Sequence, residues 1–254
     1  MTTLDIDREL AGGARLLWCC AHPDDEFLTG GLLARARLFH GVPTHLLVMT
    51  RGGGGNNALG VPDLPAARAE EMQAVADALG ATLEIHDFWN ATLPEWSFPP
   101  RREILRRWQE QANPTAVIRA SIEAFRPDIV LTFDPEHGAT GHPEHTLVSR
   151  LTVAALHEIA PAARPRLALY ALRRHWAFRA LKQADPGPVD GWFDGRLPCA
   201  DGKSCQQKLV DLLHLHASQE KDMSAFRLAA PLFSRLGLRR IDVDRDAGRY
   251  RIDE

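Results

Sequence analysis

Residues 16–26 read Leu-Leu-Trp-Cys-Cys-Ala-His-Pro-Asp-Asp-Glu. An apolar run, 16–21, stops abruptly at His22, and Asp24, Asp25 and Glu26 follow within a few positions. A run of this length bounded by polar residues suits a buried strand, whose end is where the chain leaves the core. Three carboxylates crowded at that end repel one another, and a divalent cation held between them would remove the cost. The same residues also read as a solvated acidic turn capping the next helix, because carboxylates suit the positive end of a helix. This stretch taken alone leaves the two readings level.

Moving outward, strand-like and helix-like segments alternate. Residues 27–40 have helical spacing and stop at Gly41, and 44–50 form a second buried strand that runs into glycines 52–55. Residues 64–79 predict an amphipathic helix with Gly80 as its stop. Residues 82–86 predict a third strand. Residues 101–111 and 115–125 predict two helices parted by Pro114, 128–133 a fourth strand, 143–159 a helix, and 166–172 a fifth strand. Strands separated by helices imply right-handed crossovers. The expected fold is therefore α/β: a three-layer, Rossmann-like, mostly parallel sheet with helices on both faces. In such sheets functional groups gather beyond the carboxyl ends of the strands. That expectation selects three loops, at 22–26, 51–65 and 134–145. The tail is less regular: 185–203 reads as a long loop and 206–217 as a helix. Nothing repeats, and the chain is expected to form one domain over 1–254, with a site-bearing core at about 16–160 and a C-terminal extension at about 161–254.

The loop at 134–145 decides between the two readings of the first. It contains Gly141-His142-Pro143-Glu144-His145. Proline fits the first position of a helix, which makes His142 the cap and puts His145 on the first turn. A separation of three lets both imidazoles reach one point. With His22 and one aspartate, they supply a two-histidine, one-carboxylate metal site with an open position.

The block Ala21-His-Pro-Asp-Asp-Glu26 after the first strand, with His142-Pro-Glu-His145 opening a later helix, resembles the PIG-L or LmbE-like N-acetylglucosaminyl deacetylases. The likeness runs from about residue 16 to 156, and Arg68-Ala-Glu-Glu71 and His216-Ala-Ser-Gln219 resemble two further family motifs. The resemblance implies an LmbE-like fold and a zinc-dependent hydrolase that removes an acetyl group from an N-acetylglucosamine-containing small molecule or glycoconjugate. It makes His22, Asp25 and His145 the metal ligands, Asp24 the general base, and His142 the group facing the reacting carbonyl, in protonated form. The preferred ion is Zn2+, though Fe2+ suits the same donors. A metal of this kind makes water acidic enough to react near neutral pH, and an oxyanion donor such as His142 is often worth ~3–4 kcal/mol. Glu144 is expected to orient His142 and Glu26 to brace the first loop. Departures from the family bear on the sugar: Thr140 stands where some members carry tyrosine, and Asn90 where an aspartate often binds a hydroxyl. Arg68 is then the remaining candidate for substrate binding. The resemblance also implies a homo-oligomer of unstated size.

The rest of the 254-residue chain is plain. Thirty Lys plus Arg against 33 Asp plus Glu give a net charge of −3, which argues against a general nucleic-acid binder. No apolar run approaches the ~20 residues of a membrane span. The N-terminus carries acids where a secretory leader wants bases, so a cytoplasmic location is expected. Four cysteines are too few for a disulfide framework. Cys19 and Cys20 should face opposite sides of a strand, and Cys199 and Cys205 lack a matching pair for structural zinc. Glycines 52–55 lack the Lys-Ser/Thr of a phosphate-binding loop and suit a mobile loop that approaches a ligand closely. His137 has no assigned role, His157 is read as structural, and His214 and His216 should face apart. Arg101, Arg102, Arg106 and Arg107 read as a solvated stripe. Trp89, Trp96 and Trp192 are candidates for sugar stacking or for core. Two rival functions remain: an iron-dependent oxygenase using the same donor triad, and a non-catalytic sugar- or nucleotide-binding protein. The oxygenases usually sit on β-barrels, and mere binding needs no base.

Overall fold

A computed structural model of the chain describes residues 3–92, 98–172, 188–230 and 234–253. A short helix α1 (Ile6–Ala11) precedes β1 (Leu16–Cys20), α2 (Glu26–Ala34) and β2 (Thr44–Val48). Then come α3 (Leu64–Leu79), β3 (Thr82–Ile85), α4 (Arg101–Gln111), α5 (Pro114–Phe125), β4 (Ile129–Phe133), α6 (Pro143–Glu158) and β5 (Leu167–Leu172). The tail adds β6 (Gly191–Asp194), α7 (Cys205–Leu213), α8 (Glu220–Ala229), β7 (Arg235–Arg240) and α9 (Val243–Arg249). These strands form one seven-stranded sheet in the order β3-β2-β1-β4-β5-β7-β6.

The first five strands are parallel, and β7 runs antiparallel to both β5 and β6. The sheet is thus mostly parallel but mixed, with the antiparallel pairings confined to the tail. The expected loop at 185–203 contains β6, and β7 was not anticipated. Both are short, and β7 (RLGLRR) buries only its central Leu236-Gly237-Leu238 between arginines. The Leu-x-Leu alternation was the one readable trace of it.

Every residue of β1 is buried, because alternate side chains serve two cores. Leu16, Trp18 and Cys20 join the layer under α2, α3 and α7. Leu17 and Cys19 join the layer under α4, α5 and α6. A strand covered on both faces has no polar positions, hence the unbroken apolar run. Helix ends follow local chemistry. Asp63 accepts the Ala66 N–H at 3.0 Å and Pro65 lies in the first turn of α3, while Gly80 ends it with φ +68°, a left-handed conformation glycine adopts without strain. Asn113 caps α5 in the same way. The helix expected at 27–40 holds its span, but after Ala34 it widens into a π-helical turn, Arg35–Phe39. Among the described residues no helix is long and apolar enough to cross a membrane.

Candidate metal centre and active site

The strand order reverses between β1 and β4, which lie side by side at the centre of the sheet. Crossovers leave in opposite directions there, so their loops part and open a crevice beyond the strand ends. Residues 22–26 follow β1, and 134–142 lead from β4 to α6. Sequence separation thus hides a close meeting of His22 and His145.

Three donor atoms converge in that crevice. His22 Nδ1 lies 3.1 Å from His145 Nε2; Asp25 Oδ1 lies 3.0 Å from His145 Nε2 and 3.6 Å from His22 Nδ1. Tetrahedral ligands at zinc distances stand about 3.3 Å apart, so the spacing suits a metal ion. The protein also fixes which lone pairs face inward. His145 Nδ1–H donates to Gly138 O at 2.8 Å, leaving Nε2 as the lone-pair nitrogen, while its ring stacks on Phe133 at 4.3 Å. His22 Nε2–H donates to Glu144, leaving Nδ1. Asp25 Oδ2 accepts the N–H groups of Ala21 and His22, each at 2.8 Å, whereas Oδ1 is buried without a hydrogen-bond partner. A buried carboxylate oxygen in that condition is costly, and a cation bound by the two imidazoles would satisfy it. Burial pulls the His22 imidazole down, but the Asp25 and Glu144 carboxylates outweigh it and lift it to about 10, so a cation taking the Nδ1 lone pair would displace a proton from it.

Asp24 lies beside the triad with φ +91°, a conformation that costs a non-glycine residue roughly 1–3 kcal/mol. Arg68 holds it there: Nη2 donates to Asp24 Oδ2 at 2.7 Å and to Pro23 O, and Nη1 donates to Gly52 O at 2.6 Å. Burial pushes the Asp24 carboxyl up to about 6, against the pull of Arg68. Two of the glycines at 52–55 leave room for this arginine. Gly52 has φ +68°, and a Cβ on it or on Gly55 would collide with the Arg68 guanidinium. Gly52 and Gly55 are approached closely by the protein's own arginine, Gly54 and Gly55 also line the cavity over the site, and Arg68, expected at a substrate hydroxyl, lines it too and holds the Asp24 carboxylate.

His142 caps α6, its Nδ1 accepting the Glu144 N–H at 3.2 Å, so its hydrogen sits on Nε2. Burial and the neighbouring His22 and His145 hold the ring well below the usual histidine range. It is a neutral donor, where the protonated form was expected; two nearby imidazoles disfavour a further charge. Its ring lies 4.3 Å from Phe98. Nitrogens of His22, His142 and His145 all fall within 4.8 Å of one another, a looser group than the triad with Asp25.

The supporting carboxylates are placed differently from expectation. Glu144 braces His22, not His142, because its position in the first turn of α6 turns it toward β1. Its oxygens also accept Asn90 Nδ2 at 2.6 Å and Ala91 N at 2.7 Å. Glu26 is fully buried and meets His216 Nε2 at 2.5 Å. Glu71 in turn accepts the backbone N–H and hydroxyl of Ser218, both at 2.7 Å. The segments at 68–71 and 216–219 therefore meet the first loop directly. His214 is exposed and His216 buried, as their spacing suggested. His137 pairs with Asp134 at 3.3 Å, and Thr140 Oγ1 lies 3.2 Å from His145 Nδ1.

A cavity of about 290 Å³ opens over these groups. Its lining includes the triad, Asp24, Arg68, Asn90 and His142, together with Phe27, Phe98, Met223 and Phe226. The four apolar residues escaped the sequence reading. Phe27 follows the acidic block and Met223 and Phe226 sit one helical turn apart on α8, which were the available signals. Trp89 stacks under Arg107 and Trp192 lies near Arg235, and neither lines the cavity. Trp96 lies outside the described residues. Arg106 and Arg107 pair with Glu103 on the surface of α4, and His157 with Asp244.

Fold and site together define a doubly wound α/β protein with a two-histidine, one-carboxylate centre at the reversal of its sheet. Residues 17–156 match the family model described as PIG-L: GlcNAc-PI de-N-acetylase, and the chain belongs to that family. A 1D-myo-inositol 2-acetamido-2-deoxy-alpha-D-glucopyranoside deacetylase of Gordonia bronchialis is 30% identical over 240 residues, covering 78% of this chain and 82% of that protein. The protein of the same name from Mycolicibacterium gilvum is 32% identical over 160 residues, covering 58% of this chain and 55% of that one. The chain thus spans about half the length of that relative. Among solved structures, the N,N'-diacetylchitobiose deacetylase of Pyrococcus horikoshii superposes with a TM-score of 0.61 at 17% identity, over 93% of this chain and 87% of that one. At that identity the likeness speaks for the fold.

Proposed function

We propose that the chain is a zinc-dependent amide hydrolase that removes the acetyl group from an N-acetylglucosamine-containing small molecule. The observation that carries this is the buried, unpartnered Asp25 Oδ1 facing the lone pairs of His22 and His145. His22, Asp25 and His145 would hold the metal, and two nitrogens with one oxygen suit zinc more than a hard cation. When bound, the ion supplies Lewis acidity, polarising a carbonyl and lowering the pKa of water.

The chain's own residues do the rest. Arg68 engages Oδ2 of Asp24, which orients the carboxylate and leaves Oδ1 to take a proton from the reacting water. His142, neutral and with hydrogen on Nε2, donates to the carbonyl oxygen as negative charge develops there. Carbon–oxygen bond formation is followed by carbon–nitrogen cleavage. The proton held by Asp24 passes to nitrogen, so the amine leaves neutral; the acetic acid formed at the same time gives its remaining proton to the freed Asp24 carboxylate and leaves as acetate. Glu144 keeps His22 in the required tautomer, and the Gly138 carbonyl does so for His145.

The substrate class rests on the named relatives, which act on acetamido sugars, and on a cavity of sugar size. We read 1–254 as one domain because strands from the tail complete the same sheet. A cytoplasmic setting belongs to this reading, in keeping with four free thiols. The test is a panel of N-acetylglucosamine conjugates assayed for released amine, with and without a chelator. Turnover that chelation abolishes and zinc restores is expected. Metal-loaded protein that releases no amine from any conjugate would favour a binding role.

A further inference from the structure

The cavity has two kinds of wall. The donors and Asp24 form one side, while Phe27 from α2 and Met223, Ala225 and Phe226 from α8 face it. Phe27 and Phe226 stack at 4.5 Å with an interplanar angle of 25°, forming an aromatic pair next to the acidic loop. Two of the polar residues in the lining, Arg68 and Asn90, are held by bonds within the protein, and Thr140, Gln219 and Asp222 lie elsewhere along it. Arg68 donates to Asp24, Pro23 and Gly52. Asn90 uses both ends of its amide: Nδ2 donates to Glu144, and Oδ1 accepts the Gly54 N–H, each at 2.6 Å. Asp222, at the rim, accepts from Asn56 at 2.5 Å. A polyhydroxylated group laid on this wall finds no hydrogen-bonding side chain in Phe27, Met223, Ala225 or Phe226 and gives up water to reach it, a source of discrimination. An apolar group there loses nothing and buries more surface.

We propose that the Phe27–Met223–Phe226 face is the subsite for the substituent carried by the amino sugar, and that it takes an aromatic or alkyl group in preference to a polyol. This rests on the hydrolase reading above and narrows its substrate class. Met223 is the adaptable element, since its unbranched thioether side chain accommodates ring edges and chains alike. Phe226 is the residue on which the preference turns.

The test uses the zinc-loaded full chain and two matched pairs of glycosides. Binding of phenyl glucosaminide and of glucosaminyl-inositol, the amine products, is measured by calorimetry. Turnover of their N-acetyl forms is measured by amine release. The phenyl compound is expected to bind about tenfold tighter or more, with a similar advantage in kcat/KM carried by KM. Phe226→Ser should bring both ratios close to one, and Phe226→Leu, which keeps an apolar contact, should retain most of the preference. Equal binding and equal turnover of the two glycosides by the unsubstituted protein would overturn the subsite while leaving the hydrolase standing. A phenyl preference in binding without turnover of either compound would uphold the subsite and overturn the hydrolase. A preference unaltered in Phe226→Ser would place the apolar contact elsewhere and overturn the assignment to this face.

Discussion

Asp25→Ala is expected to bind no stoichiometric metal and to lose amide hydrolysis at least about a thousandfold, since even one oxyanion donor is worth about 10²–10³ in rate. The reason is geometric. Asp25 Oδ1 stands 3.0 Å from His145 Nε2 and 3.6 Å from His22 Nδ1, so its removal leaves two nitrogens and no charge to balance a dication. The other oxygen has a separate task, closing the loop onto the N–H groups of Ala21 and His22. Asp25→Asn separates the two tasks, because an amide oxygen can still accept those bonds while carrying no charge. Metal content by mass spectrometry, read beside amine release, is the measurement. Full occupancy in Asp25→Ala would remove this residue from the ligand set and shift weight to His142 as the third donor.

Asp24→Asn should retain the metal and still lose about 10²–10⁴ in kcat, the usual contribution of a positioned acid–base group. Asparagine preserves volume and can keep a contact with Arg68, whose other bonds, to Pro23 and Gly52, do not depend on the carboxylate. The loss should therefore fall on kcat, with KM little changed. An unchanged kcat with metal in place would sink the role of Asp24 as base. A fall in metal content instead would mean that both aspartates of the loop serve the ion.

Much of the framework was legible because burial on both faces leaves a plain signature. The apolar runs ending at His22 and Asp134 marked β1 and β4, and the amphipathic spacing over 64–79 with Gly80 as its stop marked α3. The donor triad was legible because its members sit at two strand ends that any doubly wound sheet brings together. Direction of a side chain around a helical turn was harder. Glu144 lies between His142 and His145 in sequence, yet serves His22 across the crevice. Arg68 looked available for substrate because nothing local reveals that its Nη groups are bound to Gly52, Pro23 and Asp24. The aromatic wall depends on α8, which lies some 200 residues from Phe27, and no local pattern announces such a meeting. The tail strands were missed because β6 and β7 are short and bordered by glycine, tryptophan and arginine, which dilute the alternation.

The His22–His145 pair joins positions 123 residues apart in the chain. An ion that binds them in the native state alone acts on the folding equilibrium by mass action. At a concentration about a thousand times its Kd it would add about 4 kcal/mol to the folded state. The midpoint of thermal denaturation then becomes a gauge of occupancy that needs no substrate. Zinc, iron(II) and other divalent ions can be ranked by how far each raises that midpoint, with Asp25→Ala as the insensitive control.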